Sequence, residues 1–225
     1  MTGDDFNFYK KLADGLITFL CFIPLLTFHE FAHAWVAWKC GDDTSKKLGR
    51  ITLNPIAHME VIGTVVLPLI GILLGVMGSG LASFIIGWGK PVPVNLGRLN
   101  RPRVDDVLVS LAGPAMNLLL AVILIVIVKI ALLLGAKSVA EIGVRMAMLS
   151  LFLCFFNLLP VPPLDGSHVL KNFIGMSHET YLRLSQWGFM MVIVLIQIPA
   201  IRNAIATATI VTFDLIARIL LVGNQ

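Results

Sequence analysis

Five apolar runs dominate this chain and constrain everything it can fold into. They cover residues 15–40, 63–88, about 104–135, 142–160 and about 184–221. At 1.5 Å rise per residue, about 20 residues of helix cross the roughly 30 Å of bilayer hydrocarbon. Helices apolar on every side belong in a bilayer or in a large core, and 225 residues cannot bury five of them in a soluble core. Composition agrees with the bilayer. Hydrophobic residues make up 57% of the chain and charged residues 13%, against about 25% charged in a soluble domain. A soluble globule, a disordered chain, a coiled coil and a collagen-like fibre are excluded.

The expected fold is therefore an all-α polytopic membrane protein with about five to six membrane segments. No polar block is long enough for a soluble domain, no repeat is visible, and residues 1–14 are polar and lack a cleavable signal. Residues 1–225 read as a single integral-membrane domain. Cys21, Cys40 and Cys154 are too few and too scattered for a disulfide framework. The net charge of +4 comes from Lys and Arg clustered between apolar runs. In a membrane protein that pattern sets topology and gives no reason to expect nucleic acid.

The connections are uneven. Residues 41–62 start polar and turn β-like, which predicts a short membrane-associated β-like stretch near 50–60. Residues 89–103 are Pro-rich and basic, and 161–183 open as an irregular Pro-Gly stretch. The second run is interrupted at Gly71, Gly75, Gly78 and Gly80. The fifth breaks at Pro199, giving either one bent segment or a span followed by a more amphipathic helix.

The first run contains Phe28-His29-Glu30-Phe31-Ala32-His33. On a helix, His29 and His33 stack on one face a turn apart, and two imidazoles so placed can bind one zinc ion. Glu30 points about 100° away, where it can reach water at the metal without ligating it, as a general base does. With five His and four Glu in the chain, this pattern arises by chance on the order of 0.002 times per chain. Inside an apolar span such residues are costly unless paired, metal-bound or wet. A polar cluster that merely packs helices is the alternative.

A catalytic zinc takes three protein ligands. Asp165 stands out, in Asn157-Leu-Leu-Pro160-Val-Pro162-Pro163-Leu-Asp165-Gly166 directly after the fourth run. Three prolines in four positions end a helix, and irregular backbone at membrane depth survives only against protein or a wet cavity. On its own Asp165 could be an ordinary turn aspartate. Beside the His-Glu-His helix it becomes the candidate third ligand.

These residues resemble the site-2 protease family, the intramembrane zinc metalloproteases. The resemblance lies in FHEFAH, in the Asn157–Gly166 motif just quoted, and in Ala112-Gly113-Pro114-Ala115-Met116-Asn117 between them. GRITLNPIAH followed by GTVVLP is similar to the small bacterial branch, without PDZ or CBS modules. It covers about residues 15–175 as the peptidase core. It implies zinc held by His29, His33 and Asp165, water activation by Glu30, and cleavage of a substrate's transmembrane helix; one zinc per chain is expected, and the basic loops predict a cell-membrane protein with its active site towards the cytoplasm. Leu158, Leu159 and Val161 depart from the family's usual Asn-Pro spacing. The family view puts one or both of Asn117 and Asn157 near the substrate backbone, holding it or stabilising the oxyanion; interhelical hydrogen bonding is the other reading for each. His58 is either a pocket or supporting residue or a plain loop histidine. His168 and His178 read as loop residues of the cytoplasmic face, and Lys129 and Arg145 as snorkelling side chains.

Two rivals come from other classes. A metal-ion transporter would place His and Asp in spans, but it gives no role to Glu30 and should show half-repeats. A non-catalytic binder of transmembrane segments would not need the complete motif. The partners expected are a transmembrane protein substrate and the bilayer; the sequence gives no oligomeric state.

Parity adds a topology. If residues 63–88 crossed fully, the loop with Lys90, Arg98, Arg101 and Arg103 would lie outside and Asp165 would emerge far from the histidines. Both problems vanish if that run is a re-entrant hairpin turning near residues 75–80, over the active site; two short, tilted helices reaching the same end point are the alternative.

Overall fold

A computed structural model describes residues 3–84 and 87–222. The regular structure among them is helical, with no strand. α1 (Gly3–Lys39) holds the first apolar run, and α2 (Thr44–Lys47) is one turn beyond it. A π-helical turn, Val61–Val66, feeds α3 (Leu67–Val76). α4 (Pro102–Leu133) and α5 (Lys137–Asn157) follow, then α6 (Asp165–Phe173), α7 (His178–Ser185), α8 (Gly188–Gln197) and α9 (Pro199–Ala217). Among the described residues four helices are long and apolar enough to cross a membrane: Phe6–Lys39, Pro102–Leu133, Lys137–Asn157 and Pro199–Leu220.

The centre is α4, which packs on α1, α5 and α6. Lipid tails are as apolar as leucine, so membrane helices associate where small side chains let backbones approach. Ala121 and Ala131 on α4, with Ala140, Ala147 and Ser150 on α5, are buried and small. Larger side chains such as Ile130, Leu133 and Ile142 face outward. Lys129 and Arg145 have partners inside the protein. Lys129 Nζ donates to Leu220 O at 2.5 Å, and Arg145 bridges to Asp14 Oδ1 at 2.8 Å, tying α5 to α1.

The second run is a hairpin. Trp88 N donates to Gly63 O at 3.0 Å, and Thr64 Oγ1 donates to Trp88 O at 2.7 Å. The chain leaves along α3, turns near Gly78 and returns through a 3₁₀ segment, Gly80–Phe84.

Two expectations change. The stretch near 50–60 forms no strand. Pro55 lacks an N–H to pair and opens a 3₁₀ turn capped by Asn54. The buried Arg50 guanidinium then binds the carbonyls of Ala57, Lys90 and Pro91, which a ladder would need. Ladder-like pairing survives only as isolated bonds such as Lys90 N to His58 O at 2.9 Å. The fifth run divides the other way round from a span followed by an amphipathic helix. Pro199 holds Ile198 extended, at φ −74° and ψ 115°. α8, with 10 residues, is too short to cross, and the crossing lies after Pro199.

Candidate metal centre

α1 presents His29 and His33 on the side facing α4, and both are buried. His33 Nδ1 donates to Val109 O at 2.7 Å. A carbonyl only accepts, so the proton sits on Nδ1 and Nε2 keeps its lone pair. That nitrogen lies 3.0 Å from His29 Nε2. Gly113 makes the approach possible. A Cβ there would fall on His33 Nε2 and lie 2.5 Å from His29 Cε1. The glycine before Pro114 is thus required by the two imidazoles it faces.

Asp165 comes from the far end of the chain. α5 ends at Asn157, the prolines prevent its continuation, and α6 begins at Asp165 itself. Gly166 seats that start, because a Cβ there would collide with Leu158 O. Asp165 Oδ2 lies 3.2 Å from His29 Nε2, and Oδ1 lies 3.4 Å from His33 Nε2. Oδ2 is buried and receives no hydrogen bond, despite its closeness to the imidazole. Burial alone would raise the Asp165 carboxyl; the imidazoles of His33 and His29 outweigh it and hold it well below the usual carboxylate range.

The donors fit zinc. Ligands at about 2.0–2.1 Å in tetrahedral directions lie roughly 3.3 Å apart. The two Nε2 atoms are 3.0 Å apart, and each has a different oxygen of Asp165 beside it, Oδ2 at 3.2 Å from His29 and Oδ1 at 3.4 Å from His33; one donor atom from each residue lies within 4.8 Å of the others. No other cluster of three His, Cys, Asp or Glu among the described residues could hold a metal. Two imidazoles and one carboxylate leave the fourth tetrahedral position free for water or substrate.

This group lines a cavity of about 640 Å³. Glu30 is on its wall, half-buried and outside the trio of converging atoms. Asn157 also lines it, its amide nitrogen donating to Leu153 O at 2.9 Å. Trp88 and Phe189 meet edge to face at 5.1 Å on the same wall.

The other candidates lie elsewhere. Asn117 is fully buried behind the histidines, with Nδ2 3.1 Å from His29 Nδ1, and is not among the lining residues. His58 is also fully buried and off the cavity, its Nε2 2.8 Å from Thr52 O. Of the readings the sequence left open for His58, the structure shows a buried loop histidine that does not line the cavity.

One cluster escaped the sequence reading. Asp106 on α4 is buried and accepts from Lys171 Nζ at 2.6 Å, Asn172 Nδ2 at 2.6 Å and His168 Nδ1 at 3.1 Å. His168 also packs on Tyr181, with ring centroids 4.7 Å apart, whereas a loop position had been expected. Asp106 sits one turn before Val109, so one stretch of α4 holds both His33 and the helix that starts with Asp165. The signal was present as an acidic pair, Asp105-Asp106, within the third apolar run.

Known proteins include relatives of this chain. The model of Peptidase family M50 matches residues 17–142 and 133–198. The chain is 36% identical over 185 residues to "Putative zinc metalloprotease YwhC" of Bacillus subtilis, covering 79% of this chain and 78% of that protein. It is 33% identical over 182 residues to "Putative zinc metalloprotease Rip2" of Mycolicibacterium smegmatis, covering 79% and 65%. A Mycobacterium tuberculosis protein of the same description is 31% identical over 193 residues, covering 84% and 70%. No solved structure matches the chain.

Proposed function

The chain belongs to peptidase family M50, the site-2 protease family, and is a membrane metalloprotease; on that premise we propose that it hydrolyses peptide bonds within or near transmembrane segments of membrane-protein substrates. One observation carries the reading: His29, His33 and Asp165 converge at 3.0–3.4 Å on the wall of a cavity that Glu30 also lines. We assign one zinc per chain to these three side chains. Zinc so held polarises a carbonyl and makes water acidic enough to lose a proton near neutral pH.

The remaining work falls to this chain's own groups. Glu30 takes the proton from the attacking water and passes it to the leaving amine. Asn157, on the cavity wall, hydrogen-bonds the substrate backbone. A helix hides its peptide bonds, so a transmembrane substrate must unwind before its carbonyl reaches the trio, and residues that weaken helices favour cleavage. The basic loops, with Lys46, Lys47, Arg98 and Arg101, belong on the cytoplasmic side of a cell membrane. Asp165 and the histidines then lie towards that side.

The test is cleavage of a model transmembrane substrate by the detergent-solubilised protein. Cleavage lost with a zinc chelator and restored by zinc supports the reading. Substrate capture without cleavage in the presence of zinc would make the protein a binder. Zinc flux in proteoliposomes without cleavage would make it a transporter.

A further inference from the structure

Among the buried polar atoms without a hydrogen-bond partner, Asn117 Oδ1 lies beside the metal centre. Asn117 is fully buried on α4, and its Nδ2 lies 3.1 Å from His29 Nδ1 while its Oδ1 has no hydrogen-bond partner. Its backbone carbonyl is fixed by Ser150 Oγ at 2.7 Å, so the residue is anchored between α4 and α5.

An amide nitrogen donates and cannot accept. Facing His29 Nδ1, it requires a lone pair there, which puts the ring proton on Nε2. That nitrogen points at His33 Nε2 and Asp165 Oδ2, at 3.0 and 3.2 Å. A protonated nitrogen cannot ligate a metal, so this arrangement and zinc binding by His29 exclude each other. A half-turn of the amide about Cβ–Cγ resolves the conflict and moves no other atom. Oδ1 then accepts from Nδ1–H, and Nε2 is free to ligate. Either orientation leaves one amide atom unpartnered, so only the metal distinguishes them.

We infer that Asn117 is a positioning residue: its side-chain oxygen accepts the Nδ1 proton of His29 and so fixes the tautomer and ring orientation in which Nε2 binds zinc. His33 obtains the same service from Val109 O at 2.7 Å. The two ligands are thus set by one helix face, a backbone carbonyl for one and a buried amide for the other. Outer partners of this kind typically affect metal affinity by about 10–100-fold. The inference rests on the zinc site proposed above.

The experiment is chelator competition on the purified full-length protein, with Asn117→Leu, Asn117→Asp and His33→Ala. Leucine keeps the volume and removes the acceptor; aspartate keeps an acceptor and removes the donor. We expect Asn117→Leu to weaken zinc binding about 10–100-fold and Asn117→Asp to hold zinc at least as tightly as the wild type. Equal affinity in wild type and Asn117→Leu, or equal losses in both Asn117 variants, overturns the inference. Undiminished binding in His33→Ala overturns the zinc site itself, a separate failure. Should Asn117→Leu not fold, ¹⁵N-histidine NMR of the wild-type zinc form decides. A protonated Nδ1 on His29 supports the inference, and a protonated Nε2 overturns it.

Discussion

The backbone N–H of Trp88 reaches the carbonyl of Gly63 at 3.0 Å, which brings both ends of a long apolar run to one point. A run whose ends meet does not cross the bilayer, so the loops on either side of it share a face. Single cysteines at Arg98 and Lys137, in a background lacking Cys21, Cys40 and Cys154, test this with an impermeant thiol reagent on intact cells. Lys137 is expected to label from outside and Arg98 to stay protected. External labelling at Arg98 contradicts the hairpin topology.

Gly113 leaves no room for a side chain between α4 and the two histidines. A methyl group there meets both imidazoles, and overpacking of this kind costs about 1–3 kcal/mol. Gly113→Ala is therefore expected to lower both thermal stability and zinc affinity, because relief comes only by moving α4 or the histidines. An unchanged midpoint and unchanged zinc affinity would show that the helices have room the contact distances deny.

Asp106 and Lys171 make a buried pair at 2.6 Å, with their side chains 4% and 5% exposed. Removing one partner leaves an unpaired buried charge, at a cost of about 3–5 kcal/mol, whereas replacing both by apolar groups is often close to neutral. Asp106→Leu should be strongly destabilising in detergent unfolding measurements. The double variant Asp106→Leu, Lys171→Met should recover most of the loss. A single variant as stable as the wild type would remove the pair from the account of how α6 is held.

The motif residues were legible because their spacing is local. H-E-x-x-H fixes one helix face, and the prolines before Asp165 fix where a helix stops, so the trio could be named before its geometry was known. The hairpin followed from parity together with the positions of the basic loops. What was not legible depends on tertiary contact. Nothing local shows that Asp106 would meet Lys171 some 65 positions later, or that His58 would be sealed under a loop. The β-like stretch failed because a buried Arg50, distant from its acceptors on residues 90–91, takes over their carbonyls. The break of the fifth run at Pro199 was legible, but hydropathy alone did not show that the piece long enough to cross lies after the proline and not before it.

Asp165 is the proposed ligand that sequence alone ties most weakly to the histidines, and it supplies both oxygens facing them. Asp165→Ala should reduce zinc affinity by more than the 10–100-fold typical of an outer partner, read by chelator competition. Full zinc occupancy in this variant would exclude Asp165 as a strong ligand.

Glu30 separates metal binding from chemistry, since it lines the cavity without joining the converging donors. Glu30→Gln keeps size and hydrogen bonding and removes the base. The decisive measurement is zinc content and cleavage of a model transmembrane substrate, taken on the same preparations of wild type and Glu30→Gln. The expected result is about one zinc per chain in both proteins, with cleavage by the variant reduced at least the roughly 10²–10⁴-fold that general-base catalysis supplies. A Glu30→Gln protein that cleaves at close to the wild-type rate would contradict the account.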